Sequence, residues 1–175
     1  GSTNATGRTG SNRYSTVTVT GAIDVSGAGS DGIVSDSLIN AFEITETGSV
    51  TSADGFALNF ATVDDGQSAF NLGTIDGDVF DNEGTFTGNI DMGAGANAIF
   101  VRAGGVFNSL DEILLGMGNA ITVEGDLSPG GVEPFQTTAI GSDLVLADGS
   151  RLLVDIDGMT ADATTAGFFV SDRVT

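Results

Sequence analysis

The chain contains no cysteine, no histidine, no tryptophan and no lysine. Its only basic residues are five arginines, Arg8, Arg13, Arg102, Arg151 and Arg173, set against 24 acidic residues for a net charge of −19. Without cysteine there are no disulfides and no thiolate metal sites. Without histidine and lysine, the usual proton shuttles and imine-forming amines are missing. So acidic a surface repels nucleic-acid phosphates and anionic headgroups, so neither nucleic-acid binding nor membrane insertion by this segment is expected. Proline is rare, at 2 of 175 residues, which argues against a proline-rich linker. No apolar run approaches the length of a transmembrane helix, and no basic-then-apolar signal opens the chain. Gly1-Ser2 looks like a cloning scar, and the absence of cysteine suits a protein that passes through an oxidising periplasm.

Glycine is abundant, at 27 residues, and 40% of the chain is hydrophobic, enough to fill a core. The apolar residues arrive in short alternating runs, such as Thr16-Val17-Thr18-Val19-Thr20 and Arg151-Leu152-Leu153-Val154-Asp155-Ile156-Asp157. Alternation at a period of two is strand chemistry, because successive side chains point to opposite faces. Ser109-Leu110-Asp111-Glu112-Ile113-Leu114-Leu115 is the one weak helix candidate, and the chain as a whole is expected to be all-β. Eleven phenylalanines against one tyrosine suit a core in which buried rings carry no polar atom.

Two recurrences organise these runs. Ile90-Asp91-Met92-Gly93-Ala94-Gly95-Ala96-Asn97-Ala98-Ile99 is echoed 23 residues later from Ile113 to Ile121. A Gly-x-apolar step recurs at Gly84-Thr85-Phe86, Gly105-Val106-Phe107 and Gly125-Asp126-Leu127, at spacings of 21 and 20. A period near 20 residues in a chain of short strands marks a solenoid whose repeats share one core. The expected fold is a right-handed parallel β-helix over residues 14–175, after a frayed polar segment at 1–13. About seven coils, stacked about 4.8 Å apart, would make the rod. The register predicts Phe86 over Phe107 over Leu127, and Ile90 over Ile113. Strands are expected at 22–25, 33–34, 41–45, 48–51, 56–60, 69–72, 74–75, 78–80, 85–90, 98–101, 106–107, 113–115, 120–123, 126–127, 140–146, 151–156 and 168–170.

Three ordered segments carry a family resemblance. They are Asn82 to Gly93 with its partner Ile113 to Asn119, then Val123-Glu124-Gly125-Asp126-Leu127-Ser128-Pro129-Gly130-Gly131, then Ile140 to Asp157 closing on Ser171-Asp172-Arg173-Val174. Together they resemble the passenger domain of a bacterial autotransporter (type V secretion), with its passenger-associated transport repeat. The family's repeat continues past Val174, so the resemblance implies an excised fragment of a longer passenger. It implies a structural or adhesive β-helix exported through the outer-membrane translocation barrel of its parent to the bacterial cell surface. There it would meet a host-cell or matrix ligand, or associate with itself. No catalytic residue, cofactor or metal is implied, because the family's enzymes carry their active sites in inserted domains.

Two other chemistries compete with that reading. Gly27-Ala28-Gly29-Ser30-Asp31-Gly32-Ile33 approximates one calcium-binding β-roll nonapeptide, but no second one stacks beside it, and a plain turn is the simpler expectation. A carbohydrate-active β-helix, lyase or hydrolase, would need paired carboxylates; Asp64-Asp65 and Asp155 with Asp157 are the tight pairs. Asp155 and Asp157 share the strand face opposite Val154 and Ile156, which solvent exposure explains without catalysis. Binding residues are otherwise expected in the loops at 93–97, 116–119 and 130–136.

Overall fold

The computed structural model describes residues 14–35, 37, 39–60, 77–93, 95–116, 119–131, 137–154 and 173–174. Those residues are all-β, with no helix among them. The strands are β1 (Tyr14–Val19), β2 (Ala22–Val25), β3 (Ile33–Val34), β4 (Ile39–Ile44), β5 (Ser49–Asn59), β6 (Val79–Asn82), β7 (Thr85–Asp91) and β8 (Ala98–Val101). They continue as β9 (Val106–Leu114), β10 (Ala120–Val123), β11 (Asp126–Ser128), β12 (Thr137–Ile140), β13 (Asp143–Leu146), β14 (Arg151–Leu152) and β15 (Arg173–Val174). Every strand pairing is parallel.

Sheet A runs β1-β4-β6-β8-β10-β13, and the spine of sheet B runs β2-β5-β7-β9-β11-β14. Each strand of sheet A is followed in the chain by the strand of sheet B at the same level, so the two sheets ascend together in six tiers. Strands β5, β7 and β9 are long and carry register shifts partway along. Beyond the shift, β3 pairs with the far end of β5, and β12 with the far end of β9. These far ends form a third parallel row.

Like residues stack in register across the tiers. In sheet B, Val50, Phe86, Phe107 and Leu127 are successive partners, and all four are fully buried. In the third row, Ile33, Leu58, Ile90, Ile113 and Ile140 follow one another. Both stacks expected from the sequence are therefore present. In sheet A, Phe42, Phe80, Ile99 and Ile121 do the same. The sheets meet across a single core, where the Phe80 ring lies 5.0 Å from both Phe42 and Phe86, and Phe86 lies 5.1 Å from Phe107. Such aromatic pairs add about 0.5–1.5 kcal/mol each beyond the area they bury.

The Gly-x-apolar step has a steric cause. Gly21, Gly48, Gly84, Gly105 and Gly125 occupy equivalent positions at the corner entering sheet B, as the register of the strands that follow requires. A Cβ on Gly84 would strike the carbonyl oxygens of Gly48 and Thr45, and one on Gly105 that of Asn82. With no side chain in the way, the interstrand ladder continues around the bend: Val106 N–H donates to Gly84 O at 2.8 Å, and Asp126 N–H to Gly105 O at 2.9 Å.

Several expectations need correction. The weak helix candidate Ser109–Leu115 is strand up to Leu114, because its Ser109, Ile113 and Leu115 side chains are needed inside. The runs at 106–107 and 113–115 belong to that one bulged strand, and those at 48–51 and 56–60 likewise merge into β5. The run at 140–146 breaks into β12 and β13 at Gly141-Ser142, and the strand expected at 151–156 is short, ending at Leu152. Sheet A is six strands deep among the described residues, and the expectation of about seven coils extends to residues outside them. The runs at 69–72, 74–75 and 168–170 and the segment 1–13 lie outside the described residues.

Candidate functional site

One inward column of sheet A is polar where its neighbours are apolar. By register it runs Ser15, Asn40, Asp78, Asn97, Asn119, Ser142, each residue one position before a tier's outward-facing strand residue. The side-chain oxygens of Asp78, Asn97 and Asn119 each cap a backbone amide of the tier below. Asn40 N–H donates to Asp78 Oδ1 at 2.7 Å, Asp78 N–H to Asn97 Oδ1 at 2.8 Å, and Asn97 N–H to Asn119 Oδ1 at 3.0 Å. The amide nitrogens brace the adjoining turns: Asn97 Nδ2 donates to Met92 O, Gly93 O and Leu115 O, and Asn119 Nδ2 to Gly95 O. Burying these amides is tolerable because they are hydrogen-bonded.

Asp78 is the only acid in this column. Its carboxylate is buried, and burial pushes its pKa from 3.8 up to about 6, although hydrogen bonds from the Asn40 side chain and backbone pull the other way. Among the described residues, no cation contributes to offset the desolvation. Three polar atoms of the interior, Asn40 Oδ1, Asn82 Oδ1 and Ser142 Oγ, have no hydrogen-bond partner among the described residues.

Polar side chains also stitch the bulges of the long strands. Asn89 Oδ1 accepts from the amides of Asp111 (2.8 Å) and Glu112 (3.0 Å) on the bulged part of β9. Asp31 does the same for β5: Oδ1 accepts from Phe56 N–H at 3.0 Å and Oδ2 from Asn59 Nδ2 at 2.8 Å. The Gly27–Ile33 stretch is thus a turn closed by Ser30 N–H donating to Gly27 O, and its Asp31 carboxylate is engaged by the Phe56 amide and the Asn59 side chain of β5.

The outer faces of the two sheets differ. Sheet B shows a polar file, Thr51, Thr87, Asn108 and Ser128, with Asn108 Nδ2 donating to Thr87 Oγ1 at 3.1 Å. Sheet A shows a file of Thr16, Ala41, Val79, Ala98, Ala120 and Asp143, apolar over its four middle tiers, beside a second file of Thr18, Glu43, Asp81, Phe100, Thr122 and Val145. Val79 is 39% exposed and Val145 48%. On this face Arg102 forks onto Asp81, at 2.7 Å from Nε and 2.8 Å from Nη2, while its guanidinium lies 4.7 Å over the Phe100 ring.

Of the loops expected to hold binding residues, the described parts of 93–97 and 116–119 serve the interior through Asn97 and Asn119. Gly130 and Gly131 are buried, with Gly130 N–H donating to Thr138 Oγ1. Residues 132–136 and the carboxylate pairs Asp64-Asp65 and Asp155 with Asp157 lie outside the described residues. No group of three or more acidic, histidine or cysteine side chains among the described residues is placed to hold a metal ion, and no helix there is long and apolar enough to cross a membrane. The polar column escaped the sequence reading, although Asn-Ala-apolar recurs at Asn40-Ala41-Phe42, Asn97-Ala98-Ile99 and Asn119-Ala120-Ile121. Comparison with family models, with curated proteins and with solved structures finds no match to this chain.

Proposed function

We propose that the chain is a right-handed parallel β-helix acting as a structural and adhesive passenger segment of a bacterial autotransporter, displayed outside the cell. The observation that carries this reading is the run of like residues in parallel register through four successive tiers, Val50-Phe86-Phe107-Leu127 in one row and Leu58-Ile90-Ile113-Ile140 in another. Each tier covers the apolar edge of the one before, so folding propagates tier by tier and needs no separate core. A chain that leaves the cell as a thread and folds outside would gain apolar burial with every tier, at about 25 cal/mol per Å². That progressive gain gives a direction to export through the parent's outer-membrane barrel. Large acidic excess keeps such a rod soluble and away from anionic surfaces.

The calcium-roll alternative is disfavoured by Asp31, whose two carboxylate oxygens are already taken by Phe56 N–H and Asn59 Nδ2. The export reading is tested by placing this chain ahead of an autotransporter barrel in a bacterial host and measuring protease-accessible surface display. Display of the native chain, with stalling when the stack is broken by Gly105→Leu, is the expected result. Equal display of both would remove the link between tier-wise folding and export. A turnover screen on acidic polysaccharides, with product release by the purified chain, would instead favour the enzyme.

A further inference from the structure

The outer face of sheet A has a composition that solvation alone does not explain. Its central file is Ala41, Val79, Ala98 and Ala120, with Phe100 and Val145 in the next file, whereas the corresponding positions of sheet B are mainly hydroxyls and amides. Around the apolar strip stand carboxylates: Glu43, Glu83, Glu124 and Asp143 are exposed, and Asp81 is half-buried. Arg102, the one guanidinium there among the described residues, is forked onto Asp81 and lies within 3.9 Å of Glu124, so its charge is already balanced. The strip therefore has an acidic frame with little to offset it.

We propose that this face docks a cationic, partly apolar protein segment, its apolar side chains on Val79, Ala98, Phe100 and Ala120 and its basic side chains over the flanking carboxylates. The proposal rests on the adhesive reading above for its biological setting, and it adds which face adheres and to what. Charge selects the occupant. A second copy of this chain would bring another net −19 to the same surface, and nucleic acid or anionic glycan would be repelled. A neutral sugar stacking on an aromatic ring would find the Phe100 face occupied by Arg102. A basic segment meets complementary charge at the rim and an apolar centre fixed by the Arg102–Asp81 fork, which is the usual anatomy of a protein interface.

The test uses the full purified chain and, as probe, a fluorescein-labelled synthetic peptide of alternating Arg and Leu, followed by anisotropy at low and physiological salt. Binding is expected, weakened by salt, and Phe100→Ser and Val79→Ser are each expected to weaken it about tenfold. Thr87→Ala and Asn108→Ala, on the outer face of sheet B, are expected to leave it unchanged. Should Phe100→Ser lose its native circular dichroism, Val145→Ser reports on the same face from a half-exposed position. Peptide affinity that is the same in the native chain and all sheet A variants would mean attraction to net charge only, and would overturn the proposal. So would binding of a neutral oligosaccharide that Phe100→Ser abolishes while the peptide does not bind. The two readings fail separately: a chain that binds as expected but is not displayed sinks the passenger reading, and a displayed chain whose binding ignores sheet A sinks this one.

Discussion

Leu127 on β11 and Leu152 on β14 are register partners in the same inward column, yet Leu127 is fully buried and Leu152 is 39% exposed. The same contrast separates Val123 from Leu146 in sheet A, at 0% and 46%. The side chains are aliphatic and the backbone is alike; what differs, among the described residues, is a neighbouring strand on the far side. Inner tiers are covered from both directions, and β13 and β14 are the last strands of their sheets. Stability in this architecture is a property of stacking between tiers and hardly at all of a tier alone.

The sharpest way to break that comparison is to empty equivalent positions in a middle tier and at the end. Phe86 touches Phe80 and Phe107 and is fully buried, so Phe86→Ala should cost about 3–5 kcal/mol in urea unfolding. Leu152→Ala should cost about 1 kcal/mol or less, since much of its surface already meets solvent. Equal losses at the two sites would mean that the end tier is as tightly covered as the middle.

A smaller contrast lies along the glycine column. Gly105→Ala sets a methyl against the carbonyl oxygens of Asn82 and Arg102 and should destabilise by about 2–3 kcal/mol. Gly21→Ala, at the equivalent place in the first tier, has nothing within 4 Å and should change stability by no more than about 0.5 kcal/mol. Ser150, which takes the place of glycine in the last tier, agrees with this pattern at the other end. Thermal melts of the two alanine variants, measured side by side, decide it.

The stacked apolar rows were legible because a strand buried on one face alternates, and because Phe86, Phe107 and Leu127 follow glycine at nearly equal spacing. Glycine spacing betrayed the corner, where a Cβ has no room. The polar column was not legible for a physical reason. Asparagine before a strand is an ordinary turn residue, and only the register reveals that Asn97 and Asn119 stack and cap each other's tiers. The bulge in β9 misled in a similar way. Two extra residues between Ser109 and Ile113, relative to Gly88 and Ile90, put Leu110, Asp111 and Glu112 in a row of non-buried positions, which breaks the period of two and imitates a helical spacing. For the outer face of sheet A, composition alone gave no hint, because Ala41, Val79, Ala98 and Ala120 become neighbours only through pairing.

An effect smaller than that of Gly105→Ala distinguishes the polar column from its apolar neighbours. Asp78 has its pKa raised from 3.8 to about 6 by burial, so the folded chain holds this proton more tightly than the unfolded chain does. Below about pH 4 both states are protonated, and the fold has its full stability from this site. Between about pH 4 and 6 the unfolded chain releases the proton first, so stability falls as pH rises, and above about 6 the loss is complete. Asp78→Asn puts an amide where Asn40, Asn97 and Asn119 already have one, removing the charge without removing the acceptor used by Asn40 N–H. Discounting the shift for partial solvent screening, the variant should melt roughly 5 °C higher at pH 7 and about the same as the native chain at pH 4. Every other residue is common to the two proteins, so the difference between the two melting profiles isolates this site. A difference that is flat from pH 4 to 7 would mean that the Asp78 carboxylate is solvated in the fold, and that the column tolerates acid and amide alike.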